Sequence, residues 1–215
     1  MLTWDHWKFP DAETHLPQRM RKFNIRVEGR QTYQYPLYTV AVQHCRQRRV
    51  AVDVGAHVGL FSFWMVRDFA QVIAFEPMES HRECWKANVP AREVDVLYPY
   101  ALGAREASVR LQPPDVHSSG GTRVVGPGDV PMRTLDSFTL DRMDFLKIDC
   151  EGYELEVVMG GAETIKRCRP TVCVEQRART VAQFKHGPTD AVKVLQRLGG
   201  SVAWTDRSDY VVTFP

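Results

Sequence analysis

The chain has 215 residues, 44% of them hydrophobic and 25% charged, with a formal net charge of +2. That length buries one sizeable core rather than two, and no apolar run approaches the roughly 20 residues that a membrane-spanning helix needs. The charge is unevenly placed: residues 1–50 hold nine Lys/Arg against four Asp/Glu, net +5, and the other 165 hold nineteen against twenty-two, net −3.

A basic arm ahead of a slightly acidic body could meet a phosphate-bearing or acidic substrate, or could be a solvated face. The first residues, MLTWDHWKFP, carry charge and lack a signal-peptide apolar region, which predicts a cytoplasmic chain. Cysteines 45, 84, 150, 168 and 173 form no CxxC pair, so reduced thiols are expected rather than a disulfide framework or zinc site.

In chain order, residues 1 to about 35 read as an irregular extension whose rings (Trp4, Trp7, Phe9, Tyr33, Tyr35) pack on the body. Leu37 to Gln47 reads as a helix. RVAVDVG is strand-like, LFSFWMVRDF helical, QVIAFEP a second strand and ESHRECWKANV a second helix. DVLYPYALG and ASVRLQ are further strand-like runs. Pro113 to Gly128, rich in Gly and Pro, reads as a mobile loop. DFLKIDCEG is a strand ending in acids, YELEVVMGG and AETIKRC are helical, and RPTVCVEQ is another strand. TDAVKVLQRLGG is a helix with a Thr/Asp N-cap and a Gly-Gly stop. SVAWTD and YVVTFP are too close together for a crossover and must pair antiparallel. The expected fold is α/β: a doubly wound, mostly parallel seven-stranded sheet with a C-terminal antiparallel hairpin. Residues 1–45 form the extension and 46–215 the main domain.

In such sheets ligands sit beyond the carboxyl ends of the strands, where strand order reverses. VDVGAHVGLFS supplies Asp53 at a strand end, Gly55 for a sharp turn and Gly59 for close approach. Glu76 ends the next strand, 21 residues beyond Gly55, the spacing at which an acid reaches ribose hydroxyls. The pattern is DxGxxxG rather than the GxGxxG of nicotinamide dinucleotide sites, and an acid at the turn would repel a pyrophosphate. An Asp-Val-Gly step can also be an ordinary strand exit. No GK[ST] follows, so a Walker-type phosphate loop is not indicated.

VDVGAHVGLFS, VIAFEP, YALG, FLKIDCEGYELEVVMGGAE and RPTVCVE together resemble the successive motifs of the FkbM-type methyltransferases, a branch of the class I S-adenosylmethionine-dependent fold. The resemblance runs from about Val50 to Glu175 and leaves the first 45 residues unexplained. It implies S-adenosylmethionine as cofactor. Asp53, Gly55 and Gly59 would surround its methionine part, Glu76 its ribose, and Pro77, Met78, Tyr100 and Ala101 its adenine, with Ala56 a further cofactor-binding candidate. Met78 reads equally as core filler.

Methyl transfer to a hydroxyl needs alignment and a proton acceptor, or a metal that lowers the hydroxyl pKa. Asp149 and Glu151 flank Cys150 at a strand end, two residues apart and on one side if the strand persists. One could be the base while the other orients substrate or holds a divalent ion such as Mg²⁺; Glu175 is the third candidate. Asp149 could instead receive cofactor or backbone donors, and Glu151 could begin the next helix. Lys147 reads as ion-paired, Cys150 as a small hydrophobe, and His57 and His117 as loop histidines with a suitable intrinsic pKa. The Pro113–Gly128 segment could cover the acceptor.

Three functions stay open. The first is O-methylation of a small molecule or glycan. The second is methylation of a nucleic acid or nucleotide, which no RNA-binding module supports. The third is a non-catalytic cofactor-binding module, against which the Asp53, Gly55, Gly59 and Glu76 set argues. No membrane partner is expected, and the oligomeric state is open.

Overall fold

Residues 1 to about 35 form regular elements, in contrast to the irregular extension expected of them, and the helix expected from Leu37 is present. The computed structural model describes residues 1–113 and 117–215, and its chain begins with a hairpin of β1 (Leu2–Trp4) and β2 (Trp7–Phe9). α1 (His15–Phe23) follows, then a second hairpin of β3 (Ile25–Val27) and β4 (Arg30–Thr32), and α2 (Tyr35–Gln43). Both hairpins turn on two residues with positive φ, Asp5 and His6 at 45° and 68° and Glu28 and Gly29 at 48° and 82°. Such turns match the twist of the flanking strands. Asp-His and Glu-Gly are weak signals for them, and each strand is only three residues long. Trp7 and Phe9 are fully buried, and Leu16 and Met20 join them in one cluster with Phe61, Trp64 and Phe145 of the body. The extension therefore shares the core of the main domain.

The body starts with β5 (Val50–Val54), α3 (Ser62–Asp68), β6 (Gln71–Phe75), α4 (Glu79–Asn88) and β7 (Val96–Tyr98). Here the DVLYPYALG run divides. Proline lacks the N–H that a central strand needs, and Pro99 follows directly after β7, so β8 (Ala101–Leu102) leaves the main sheet. It joins a smaller four-stranded sheet with β9 (Ala107–Gln112), β10 (Arg123–Pro127) and β11 (Val130–Arg133), in the order β10-β9-β11-β8. ASVRLQ thus belongs to this second sheet. The segment expected to be a loop contains β10, bulged between Val124 and Gly126; its residues 114–116 lie outside those described.

β12 (Phe145–Ile148), α5 (Glu154–Gly160), α6 (Ala162–Cys168), β13 (Thr171–Glu175), α7 (Ala178–Val181), α8 (Asp190–Arg197), β14 (Ser201–Asp206) and β15 (Asp209–Thr213) complete the chain. The main sheet has seven strands in the order β14-β15-β13-β12-β5-β6-β7. β7, β6, β5, β12 and β13 run parallel, and β15 and β14 pair antiparallel at the edge, as expected. Side chains alternate across it. Ala51, Ala74 and Phe145 face a layer built by the N-terminal segment, α2, α3 and α4. Val52, Ile73, Leu146 and Val172 face α5, α6 and α8.

α8 departs from its expected cap: Thr189 makes no side-chain cap bond, and Gly187 N donates to Asp190 Oδ2 at 2.6 Å instead. Its Gly-Gly stop is present, with Gly199 at φ 101° and Gly200 N donating to Leu195 O. Among the described residues no helix is long and apolar enough to cross a membrane, and all five cysteines are free thiols.

Candidate active site

β5 sends its chain to β6 on one side, while β12 docks on its other side, so strand order reverses between β5 and β12. A cavity of about 840 Å³ opens over the carboxyl ends of these strands. Gly55, Ala56, Glu76, Pro77, Tyr100 and Ala101 line one part of it, and Asp149, Glu151 and Glu175 line another. Nine of the twelve sequence-derived site residues therefore share one cavity.

Asp53, Gly59 and Met78 do not line it. Asp53 is fully buried behind the wall, where Ser62 Oγ donates to its Oδ2 at 2.6 Å and Lys147 Nζ lies 3.2 Å from its Oδ1. A carboxylate taken from water requires such partners. Lys147 also donates to Gly55 O at 2.7 Å; burial works against its charge, but Asp53 and Asp149 more than offset this and raise its pKa. Gly59, at φ 90°, serves packing: a Cβ there would meet Val89 and Trp85 at 2.5 and 3.0 Å. Met78 ends the turn before α4 and gives its N–H to Glu76 Oε1 at 2.9 Å. Gly55 is required by its φ of 73° and by the neighbouring strand, since a Cβ would stand 2.0 Å from Asp149 O.

Glu76 is 5% exposed and holds the turn between β6 and α4. Its Oε1 accepts from Met78 N and lies 3.2 Å from His81 Nδ1, and its Oε2 accepts from His57 N at 2.8 Å. A carboxylate has about four lone-pair positions, so acceptor capacity remains.

The second acidic group forms differently from the expected continuation of the strand. β12 ends at Ile148 and Glu151 takes a left-handed conformation, φ 52°. Asp149 and Glu151 converge nonetheless, and with Glu175 they bring carboxylate oxygens within 4.8 Å of one another. Burial, then the Asp149 charge, pushes Glu175 up to about 9 and Glu151 up to about 7. Arg177, 2.7 Å from Glu175, opposes both shifts. Carboxylates spaced in this way are compatible with a divalent cation, but the cation placed there is the Arg177 guanidinium.

Two further acids complete the site without having been singled out in the sequence. Glu154, 1% exposed, accepts from Cys150 N and Gly152 N at 2.9 Å each and so shapes the turn that carries Asp149 and Glu151. Burial, chiefly, raises it to about 7. The only sequence signal was an acid four residues after Cys150. Asp209 comes from the terminal hairpin, lines the cavity, and is raised to about 6 by burial and then by Asp149. Nothing local in its sequence marks it.

His57 also lines the cavity. Its ring meets His81 edge-on at 4.5 Å, and burial, chiefly, holds its pKa well below the ordinary value. The His117 carbonyl accepts from Thr14 N and His15 N. Cys150 lines the cavity, and burial keeps its thiol protonated.

Residues 53–202 match the methyltransferase FkbM domain family. No curated protein matches the chain significantly. Among solved structures, a methyltransferase FkbM from Methylobacillus flagellatus KT is 18% identical with a TM-score of 0.49, covering 79% of this chain and 44% of that one. This chain thus spans less than half the length of that relative. A precorrin 8w decarboxylase from Methanobacterium thermoautotrophicum is 12% identical with a TM-score of 0.50, covering 84% and 90% of the two chains. At that identity the likeness concerns the fold alone. A magnesium protoporphyrin IX methyltransferase from Synechocystis PCC 6803 with bound SAM is 12% identical at a TM-score of 0.49, covering 84% and 77%.

Proposed function

The chain belongs to the FkbM methyltransferase family, and from that premise we propose that it transfers a methyl group from S-adenosylmethionine to a hydroxyl of a small molecule or glycan. The observation that carries this reading is one cavity shared by Glu76 and the Asp149, Glu151 and Glu175 group.

The residues fit the cofactor. Gly55 leaves room where any side chain would collide, and Glu76 keeps free lone pairs for ribose hydroxyls after serving its backbone donors. Pro77, Tyr100 and Ala101 offer an apolar wall for a base. When bound, S-adenosylmethionine supplies an electrophilic methyl group on a sulfonium.

Moving that methyl to an acceptor oxygen releases the hydroxyl proton. Glu151 and Glu175 are not both fully ionised at neutral pH, because burial and then the neighbouring Asp149 charge raise both. Glu151, at about 7, has the proton affinity best matched to accepting the released proton near neutrality. Glu175, at about 9, retains its proton there and can donate a hydrogen bond that orients the acceptor. Arg177 keeps the group from being wholly uncompensated.

Calorimetric titration with S-adenosylmethionine and S-adenosylhomocysteine, beside Glu76→Ala and an NAD control, tests the cofactor. Binding that is lost in the variant and absent for NAD supports the reading; folded protein that binds neither compound overturns it. With a methyl acceptor in hand, Glu151→Gln should retain cofactor affinity and lose turnover.

A further inference from the structure

We propose that Glu13 is a positioning residue that latches residues 117–122 over the cofactor half of the cavity, so that cofactor exchange requires its bonds to Ser119 to break. The inference rests on the S-adenosylmethionine reading and gives the N-terminal segment a part in it.

Glu13 lies outside the family-matched region and is 1% exposed. Its Oε1 accepts from Leu16 N at 2.9 Å, in the first turn of α1. Its Oε2 accepts from both donors of Ser119, the backbone N at 2.6 Å and Oγ at 2.5 Å. Thr14 N and His15 N both donate to His117 O, at 3.0 and 3.2 Å. Two strands of chain more than a hundred residues apart are thus stitched together at successive positions.

The latch continues inward. Ser119 Oγ lies 2.7 Å from His57 Nε2. The Ser119 hydroxyl proton is committed to Glu13, so the imidazole donates from Nε2. His57 N in turn donates to Glu76 Oε2. A continuous path runs from Glu13 through Ser119 and His57 to Glu76. Along it the strap forms part of the cavity wall: Ser119, Gly120, Gly121 and Thr122 line the same space as His57 and Glu76. Thr122 Oγ1 donates to Ser119 O at 3.0 Å and closes the turn of the strap.

The choice of residue is chemical. An ionised carboxylate only accepts, so one oxygen can hold both Ser119 donors, and hydrogen bonds to a charged acceptor are the strong ones. A glutamine of the same shape must point its NH₂ at a donor on one side or the other. Opening the strap therefore gives up two charge-assisted bonds at once, and the cofactor behind it becomes free to leave.

Two measurements test this. Hydrogen–deuterium exchange of the Ser119 to Thr122 amides in ligand-free protein reads the latch directly, and stopped-flow displacement of S-adenosylhomocysteine, followed by tryptophan fluorescence, reads its effect. Glu13→Gln and Ser119→Ala should raise strap exchange and speed release about tenfold or more. Ser119→Thr, which keeps the hydroxyl, should release at the wild-type rate, a rescue that general loss of stability would not produce. Glu13→Gln with wild-type exchange and release overturns the latch. Should that variant fail to fold, equal release from Ser119→Ala and wild type overturns it. Wild-type protein that binds no S-adenosylhomocysteine overturns the cofactor reading instead, and the exchange experiment alone then decides whether Glu13 holds the strap.

Discussion

Lys147 Nζ lies 3.2 Å from Asp53 Oδ1, and both side chains are almost wholly buried, 7% and 0% exposed. The pair joins β12 to β5, with Lys147 at the cavity wall and Asp53 behind it, and Lys147 also donates to the carbonyl of Gly55. Asp53 therefore acts on the site from behind, by fixing the turn on which Gly55 sits. Removing one member of such a pair strands a charge in the interior. Lys147→Met should cost about 3–5 kcal/mol of stability in urea unfolding. Combining it with Asp53→Leu should recover part of that loss, since the stranded charge is then gone.

Gly55 is the most tightly constrained glycine at the site. A Cβ would meet Asp149 O at 2.0 Å and would also sit at φ 73°. Relieving that contact means separating β5 from β12 at the point where the acids are presented. Gly55→Ala should cost upwards of about 2 kcal/mol. Gly126→Ala, at φ 135° with nothing within 4 Å of a new Cβ, isolates the backbone strain and should cost less. Thermal unfolding of the two variants side by side checks the difference.

The contrast between Gly55 and Gly59 shows what the sequence could disclose. Both glycines stand out in DVGAHVG, but spacing does not reveal that one faces a strand and cavity and the other packs on Trp85. The parallel strands were legible because buried β-branched runs such as VAVDV and TVCVE leave little choice. The hairpins of the first 35 residues were not, because three-residue strands carry no periodicity and their turns lack the usual Asn-Gly signal. Asp149, Glu151 and Glu175 could be read from strand ends. Glu13 and Asp209 could not, since tertiary packing alone brings Glu13 to Ser119 and Asp209 to the cavity from distant segments.

Asn88 is the residue that ties the first hairpin to the body. Its Oδ1 accepts from Lys8 N at 2.6 Å, and its Nδ2 donates to Lys8 O and Val58 O at 2.8 and 2.7 Å. The amide imitates one residue of a neighbouring strand and satisfies the edge of β2. Asn88→Ala would leave these part-buried backbone groups unpaired, at about 1–3 kcal/mol. Exchange at the Lys8 amide should rise sharply in this variant, while amides of β5 and β12 keep their protection.

The acid cluster sets a pH dependence with a definite sign. Glu175 has a folded pKa of about 9, above the 4.5 of an unfolded glutamate, so between these values the native state binds the proton and the unfolded state does not. Stability then falls as pH rises through this window, because the slope follows the difference in bound protons. Glu151, raised to about 7, adds to the fall over the lower part of the same range. Glu175→Gln removes the largest of these costs. It should be more stable than wild type in urea unfolding at pH 8, with a gain of about 1–3 kcal/mol after allowance for Arg177 and partial solvation. Well below pH 4.5, where both states of the wild type are protonated, the gain should shrink towards zero. A gain that is the same at both pH values would mean that Glu175 has the same proton affinity in the folded and unfolded states.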